Sequence, residues 1–251
     1  MTRWPRRIVV TLVVVALWEL LFRVGVLSPV MFGAPSLIWS AALKDGGTFL
    51  TAFRVTAGEM LIALMVAWVG GIAFGVLIGA APLRSLIVAP ILSGVIALPL
   101  IVLYPVLVAW LGIGTPSKIA YGAAAGFFPV ALATVLGIRT IDARYAEMAR
   151  AIGATPLQIV MQVKVRLALP AIVSGLRVGT SLVIISVIQS EMLSATDGVG
   201  FWISYHRALF NTGHVYLGII LVLVLAVVAN AVLTALERRL GGARVLAQAV
   251  G

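Results

Sequence analysis

Long apolar runs separated by short polar segments form the dominant pattern along this chain. Each run is at least about 20 residues long, the length that a helix needs to cross the hydrocarbon core of a bilayer. A helix suits that position because it satisfies its backbone hydrogen bonds internally. We therefore predict an all-α integral membrane protein. The five clearest runs are Met60 to Leu83, Ser85 to Leu111, Ile119 to Ile138, Leu167 to Ser190 and Val215 to Leu236.

A sixth run, Ile8 to Leu27, carries Glu19 and Arg23 toward its end and follows several arginines. A cleaved signal peptide is the alternative interpretation of such a segment. The apolar stretch is long for a signal peptide, and no small-residue cleavage pattern follows it promptly. We therefore favour a retained transmembrane anchor over residues 1–28, which brings the expected number of membrane-spanning helices to about six.

The composition supports lipid as the solvent for most of the surface. The chain of 251 residues is 62% hydrophobic and only 10% charged, whereas a soluble domain is about one quarter charged. Its mean hydropathy is +1.17. The absence of cysteine excludes disulfides, thiolate metal sites and cysteine nucleophiles.

The net charge of +10 is explained better by membrane orientation than by nucleic-acid binding. If the N-terminus is cytoplasmic, twelve Lys and Arg residues fall on the inside, and only Lys44, Arg54, Lys118 and Arg207 fall on the outside. Because positive residues concentrate on the cytoplasmic side of membrane proteins, we expect both termini to be cytoplasmic, together with segment 139–169 and the tail 241–251.

Two segments do not fit simple spans. Residues 29–59 are mixed in polarity and include Lys44-Asp45-Gly46-Gly47, so we expect an external segment of interfacial helices. Residues 85–117 carry no charged side chain, and they contain Pro90, Pro99 and Pro105. A kinked helix is expected there, with freed carbonyls near Pro99 and Tyr104 that face either other helices or a water-filled path.

Glycines recur every four residues at Gly71, Gly75 and Gly79, on one face of a predicted span. Small residues at this spacing let two helices approach closely, which matters because lipid provides no hydrophobic drive for helix association. The spacing predicts a tightly packed helix bundle, and the contact could lie within one chain or between two copies.

A polar stripe of Ser186, Gln189 and Ser190, followed by Glu191, lies on the span that ends near residue 190. Polar groups in a span usually face protein or water. Headgroups and water at the outer end of the span would also accommodate Glu191. Our candidates for a solute pathway or gate are Pro99, Tyr104, Ser186, Gln189 and Glu191.

Several chemistries have no support in the sequence. No GxxxxGK[ST] phosphate-binding loop is present, so the chain does not bind ATP by that route. His206 and His214 lack the further ligands that a metal site requires. The eight acidic residues are scattered. We expect no catalytic residue, no metal and no cofactor, and therefore a protein that is not an enzyme by itself.

The polar segment 139–169 interrupts the apolar pattern. Asp142 to Ile152 can form an amphipathic helix, and Gly153 can take the left-handed conformation that ends it. Thr155-Pro156 then restarts a helix, with proline at a first-turn position. We expect two short helices along the membrane surface, the second ending near Pro170. A simple interfacial loop is the alternative.

Residues 147–154, EMARAIGA, resemble the EAA motif of the permease subunits of bacterial ABC importers. Glu147, Ala149 and Gly153 match the motif at its spacing, whereas Met148 replaces an alanine and Arg166 stands where a proline is usual. The resemblance extends over about residues 30–240 and favours the nitrate, sulfonate and taurine branch. Further matching segments are Leu98-Pro99-Leu100, Trp110 to Gly114, Pro170 to Arg177, Glu191-Met192-Leu193 with Gly198 and Gly200, and Leu236 to Arg239.

This resemblance implies a type I importer permease fold over residues 60–240 in the bacterial inner membrane, with a homodimer of this subunit. It implies two ATP-binding subunits inside, which bind the ATP, and a solute-binding protein outside. The solute would be a small anion such as a sulfonate, taurine or nitrate. The residues that would couple the permease to the ATPase are Glu147, Ala149, Arg150, Gly153, Ala154 and Pro156.

Other functions remain open on the sequence. Related permeases carry pyrimidine-type vitamin precursors. A secondary transporter would need discontinuous helices in repeated halves, and only one proline-interrupted run is present here. A membrane scaffold without transport activity would explain the glycine-lined faces but not the EAA-like motif.

Overall fold

The computed structural model describes residues 3–240, with side chains over 8–235, so the predicted tail 241–251 lies outside the described residues. Every element within this range is helical, which confirms the all-α prediction. The elements are α1 (Arg3–Arg23), α2 (Pro35–Gly79), α3 (Pro82–Ala97), a 3₁₀ turn (Leu100–Leu103), α4 (Tyr104–Leu111), α5 (Thr115–Arg139), α6 (Ala143–Ala151), α7 (Pro156–Gln158), a π-helical segment (Ile159–Lys164), α8 (Val165–Ser194), α9 (Val199–Ala208) and α10 (Thr212–Leu240).

Four helical segments in the described part of the chain are long and apolar enough to cross a membrane. These segments are Pro35–Gly79, Thr115–Arg139, Pro156–Ser194 and Thr212–Ala235. A fifth span is possible if α3 and the segment Leu100–Leu111 are taken together, although they meet at an angle of 85°. Most of the run Ile8 to Leu27 lies in α1, which ends at Arg23 and whose apolar side chains are largely exposed. That α1 crosses the membrane stays a prediction.

The segment Pro35–Gly79 consists of two helices that meet at a kink. Asp45 lies at the kink and departs from helical geometry (φ −118°, ψ 19°). Gly46 and Gly47 follow it directly, and glycine costs about 1 kcal/mol relative to alanine in a helix, so the sequence favours a break there. The interfacial and external position of residues 29–59 stays a prediction.

The described backbone divides into two compact units, one of residues 3–57 and 191–225 and the other of residues 58–190 and 226–240. We call them the outer unit and the central unit, names that refer only to their places along the sequence.

In the central unit, the glycine row of α2 packs directly against α5. A methyl group added at Gly71 would lie 2.8 Å from Val130, and one added at Gly75 would lie 2.4 Å from Thr134. Gly79 meets Ile138 in the same way, at 3.1 Å. The glycine row therefore serves contacts within one chain.

Helix α5 also packs closely against α8. Gly126 and Gly179 face each other so closely that a methyl group on Gly179 would lie 2.8 Å from the Gly126 carbonyl oxygen. Gly122 similarly leaves room for Val187. Because two backbones meet here without intervening side chains, α5 is held between α2 and α8 over much of its length.

In the outer unit, Thr56 joins two segments that are far apart in sequence. Its hydroxyl donates to the Glu191 carboxylate at 2.6 Å and accepts the Val199 N–H at 2.8 Å. The second carboxylate oxygen of Glu191 accepts the Gly200 N–H at 2.7 Å. Glu191 is only 1% exposed, so these donors replace the water that its carboxylate gives up.

We predict that Thr56→Val destabilises the protein by about 1–3 kcal/mol, the cost of leaving buried polar groups unsatisfied. Valine keeps the shape of the side chain but removes both the donor to Glu191 and the acceptor for Val199. Thermal unfolding in detergent measures the loss. The matched control is Thr51→Val, because Thr51 is on the same helix and its hydroxyl bonds only to an exposed i−4 carbonyl. Equal loss of stability in both variants would contradict the assignment.

A second cluster in the outer unit joins His206, His214 and Asp45. The two imidazole rings stack at 4.3 Å, and His214 Nε2 lies 2.7 Å from Asp45 Oδ2. The Trp202 indole packs on the His206 ring at 4.4 Å and donates to the His214 carbonyl. Burial, and then the neighbouring His214, lower the pKa of His206, which the Asp45 charge only partly opposes.

We predict that His206 makes the protein less stable in mild acid. The pKa of histidine in an unfolded chain is about 6.5. Below that pH the unfolded state takes up a proton that the folded state does not, so stability falls until the pH reaches the lowered folded pKa. His206→Phe keeps a stacked ring that cannot titrate. The melting temperature of the wild type should therefore drop more between about pH 7.5 and 5.5, conditions chosen around that pKa, than that of His206→Phe. If the melting temperatures of the wild type and His206→Phe fell equally with pH, the prediction would be contradicted.

Candidate functional site

The polar segment after α5 forms a defined helix-turn-helix unit. Asp142 caps α6 by accepting the Arg144 N–H at 2.9 Å. The Arg144 guanidinium also bonds to the same carboxylate at 2.7 Å. The side-chain hydrogen bond from Arg144, and then its backbone N–H, hold the pKa of Asp142 below its ordinary value. Because this pair is exposed, its main effect is to fix where α6 begins.

The end of α6 is a Schellman motif. Gly153 has φ +84°, its N–H donates to the Arg150 carbonyl at 2.9 Å, and the Ala154 N–H donates to the Ala149 carbonyl at 3.0 Å. This pair of bonds satisfies the last carbonyls of the helix and requires a left-handed residue, which glycine adopts without steric cost. The helix-ending role predicted for Gly153 agrees with this geometry.

The next helix starts with a complete capping box. The Thr155 hydroxyl accepts the Gln158 N–H at 3.3 Å, while the Thr155 N–H donates to Gln158 Oε1 at 2.8 Å. Pro156 occupies the first turn, where a missing N–H costs nothing. Two adjacent capping motifs therefore build the turn between the helices from local hydrogen bonds alone.

The prediction that the second helix ends near Pro170 is wrong. Helix continues from Pro156 to Ser194, and it passes through the π-helical segment Ile159–Lys164 before entering α8. Pro170 lies inside α8. A proline in a membrane helix is tolerated where local π or 3₁₀ adjustments satisfy the freed backbone groups. The turn at Gly153 is thus followed by uninterrupted helix that is long and apolar enough to cross a membrane.

The two faces of this helix-turn-helix unit differ. Ala146, Ala149 and Ile159 are buried, and Ala154 and Val163 pack against them. The opposite face exposes large apolar side chains, with Met148 at 67%, Leu157 at 72% and Ile152 at 86%. Glu147 and Arg150 are exposed beside them. Of the predicted coupling residues, Ala149 thus lies in the small core of the unit, and the others lie at the turn or on its surface. Exposed apolar residues rimmed by charge are typical of a protein–protein contact.

A cavity lies where the proline-rich span breaks. Helix α3 ends at Ala97, Leu98 is extended (ψ 142°), and the chain resumes at Leu100. The expected kink at Leu98-Pro99 is confirmed, and its 85° bend is sharper than an ordinary proline kink. The cavity beside the break has a volume of about 270 Å³. Its walls are formed by Ile96, Leu98, Pro99, Leu100, Ile101, Tyr121, Ala125, Leu182, Ile185, Ser186 and Gln189.

Three hydroxyl or amide side chains provide the polar part of the cavity wall. The Tyr121 hydroxyl donates to Gln189 Oε1 at 3.3 Å, and Ser186 lines the same cavity. Tyr121 and Ser186 are buried, whereas Gln189 is exposed. Tyr104 packs against Tyr121, with 5.3 Å between the two ring centroids, and its hydroxyl donates to the Ser190 carbonyl.

The candidate pathway residues are therefore not all in one place. Pro99, Ser186 and Gln189 line the cavity, and Tyr104 lies directly behind it through Tyr121. Glu191 is bound in the Thr56 network of the outer unit. Tyr121 is the residue that sequence reasoning missed. A tyrosine hydroxyl within an apolar span was the available signal.

A buried ion pair was also missed. Lys118 Nζ lies 2.6 Å from Glu59 Oε1, with the two side chains 0% and 3% exposed, and the Thr115 hydroxyl donates to the same oxygen at 2.8 Å. The sequence assigned Lys118 only to the outer side of the membrane. The ion pair anchors the first turn of α5 to α2 within the central unit. Removing one partner of such a pair leaves an uncompensated buried charge.

Comparisons with known proteins agree with this architecture. Residues 71–242 match the family described as the binding-protein-dependent transport system inner membrane component. The chain is 28% identical to the putative aliphatic sulfonates transport permease protein SsuC of Bacillus subtilis, over 94% of this chain and 87% of that protein. It is also 28% identical to the taurine transport system permease protein TauC of Escherichia coli, over 95% and 91% respectively.

Two more distant similarities add to this. The chain is 26% identical to the formylaminopyrimidine transport permease protein ThiX of Halalkalibacterium halodurans, over 90% of each protein. A chain of the inward-facing MetNI methionine ABC transporter superposes with a TM-score of 0.67 at 21% identity, covering 78% of this chain and 97% of that one. At this identity the likeness establishes the fold, which is that of an ABC importer permease. The chain accordingly belongs to the family of inner-membrane components of binding-protein-dependent transport systems.

Proposed function

We propose that this chain is the homodimeric permease subunit of an ATP-driven importer of aliphatic sulfonates. The observation that carries the proposal is the helix-turn-helix unit at residues 142–164, which presents a preformed apolar and charged face on a chain that has no phosphate-binding loop of its own. Energy for active transport must then come from a partner. The sulfonate assignment is supported by the names of two relatives that match nearly the whole chain.

In this proposal, the helix-turn-helix unit at residues 142–164 is a docking unit. The exposed face of its helix α6 binds in a groove of a cytoplasmic ATPase. Met148 and Ile152 provide the apolar contact, and Glu147 and Arg150 provide the polar rim. Closure of two ATPases around ATP would draw the two docking units together, and the continuous helix from Pro156 to Ser194 would carry that displacement into the membrane. The ATPase thus biases a two-state element, the inward- or outward-facing permease.

A pyrimidine-type vitamin precursor is the second candidate solute. It is supported by the formylaminopyrimidine permease, which is similar over 90% of each chain. Delivery by an external solute-binding protein is common to both candidates. Uptake of an alkanesulfonate and of formylaminopyrimidine into proteoliposomes that contain the complete importer distinguishes them directly.

We predict that Gly153→Pro abolishes solute uptake while the protein still inserts into the membrane. Proline removes the N–H that bonds to the Arg150 carbonyl and cannot adopt φ +84°. The Schellman motif is lost, so the docking face is no longer fixed relative to the helix that begins at Pro156. The measurement is ATP-dependent uptake in proteoliposomes, with the amount of inserted permease determined by quantitative blotting.

Gly25→Pro provides a matched control. Gly25 has φ +81° and donates its N–H to the Phe22 carbonyl at 3.1 Å. Like Gly153, it has no neighbouring atom within 4 Å of the position that a β-carbon would take. It therefore suffers the same local backbone change outside the docking unit, and its uptake should be largely retained. Normal uptake by Gly153→Pro, or equal loss in both variants, would disprove the coupling role of this turn.

A further inference from the structure

We propose that Gln189, supported by Tyr121 and Ser186, forms a solute-binding site for the sulfonate group of aliphatic sulfonates that carry no cationic group. The inference rests on the proposed function and narrows it, because it separates simple alkanesulfonates from aminoalkanesulfonates such as taurine. The site is the cavity of the central unit beside the break at Leu98-Pro99.

The first argument is the direction of the hydrogen bonds. A tyrosine hydroxyl has one proton, and Tyr121 donates it to Gln189 Oε1. Ser186 adds a further hydroxyl to the cavity wall. The chain of donors runs from Tyr121 to Gln189, and the Gln189 Nε2 amide is its end. Such chains polarise one another, which makes the last donor stronger.

The second argument is the shape and polarity of the walls. The lining residues other than Tyr121, Ser186 and Gln189 are apolar, and the largest are Leu98, Ile101 and Leu182. The volume of about 270 Å³ is close to the lower end of the roughly 300–1,000 Å³ range of small-molecule sites. An alkanesulfonate fits a wall with one polar and one apolar part. Its three oxygens accept hydrogen bonds at one end, and its alkyl chain contacts the apolar part.

The third argument is charge. Gln189 is exposed at the edge of the cavity, so a sulfonate bound there keeps part of its hydration while it accepts the amide protons. No residue among those that line the cavity carries a charge. Binding is therefore weak enough to permit release, as transport through a pore requires. The ammonium group of taurine would lie against the apolar wall without a carboxylate partner, which is unfavourable.

Direct binding to the purified permease in nanodiscs tests the site without the external binding protein. The probes are pentanesulfonate, taurine and formylaminopyrimidine, measured by ligand-detected NMR or calorimetry. We expect pentanesulfonate to bind in the millimolar range, at least about tenfold more tightly than taurine, because the taurine ammonium is desolvated without a partner. Absence of pentanesulfonate binding, equal affinity for taurine, or tighter binding of formylaminopyrimidine would each overturn the proposal.

Substitutions then locate the site. Gln189→Leu should weaken pentanesulfonate binding about tenfold, since it removes the amide that donates to a charged acceptor. Gln162→Leu is the matched control, because Gln162 is an exposed glutamine on the same continuous helix but outside the cavity. Its affinity should be unchanged. Equal weakening in both variants, or none in Gln189→Leu, would overturn the assignment.

Tyr121→Phe is a second, independent variant. It frees the Gln189 carbonyl oxygen, which can then accept a hydrogen bond from an ammonium group. The preference for pentanesulfonate over taurine should therefore shrink, and an unchanged preference would contradict the role of Tyr121.

Different experimental outcomes would disprove the proposed function and the proposed binding site. Importers that take up pentanesulfonate but whose permease does not bind it would disprove the site and leave the function standing. Importers that take up no sulfonate at all would disprove the solute of the proposed function.

Discussion

The close approach of α5 to its neighbours is the constraint on which the rest of the central unit depends. Lipid offers no hydrophobic reward for bringing helices together, so association must come from tight van der Waals contact. Gly71, Gly75 and Gly79 allow that contact between α2 and α5, and the facing pair Gly126 and Gly179 allows it between α5 and α8. A single added methyl group at most of these positions would collide with a neighbouring atom at less than 3.0 Å.

The position of the cavity follows from this packing. Gly122 lies against Val187, which fixes Tyr121 of α5 at the height of Ser186 and Gln189 of α8. The break at Leu98-Pro99 then brings extended backbone to the same place, where it lines the cavity. Irregular backbone at membrane depth is tolerated only in such a setting. The prolines and the polar stripe, which are separate features of the sequence, thus belong to one site.

The docking unit is built on a different principle. Its turn is determined by hydrogen bonds between residues at most five apart, namely the Schellman motif at Gly153 and the capping box at Thr155. It needs only a small core, which Ala146, Ala149 and Ile159 provide. Such a unit can keep its shape while the helices beyond it change their arrangement, and this property is required of an element that transmits force from one protein to another.

The sequence alone determined the helical membrane class, the approximate position of most spans, the kink at Pro99 and the turn at Gly153, because these features depend on hydrophobic runs and on capping residues that are close together in the chain. It failed at Pro170, where the helix continued through a weak stop signal. Only the tertiary structure decided that Lys118 is buried with Glu59, that Glu191 is bound to Thr56, and that Tyr121 meets Gln189. The partners in these contacts are separated by 59, 135 and 68 residues, and a polar residue in a span does not reveal from its own neighbours which distant group will satisfy it.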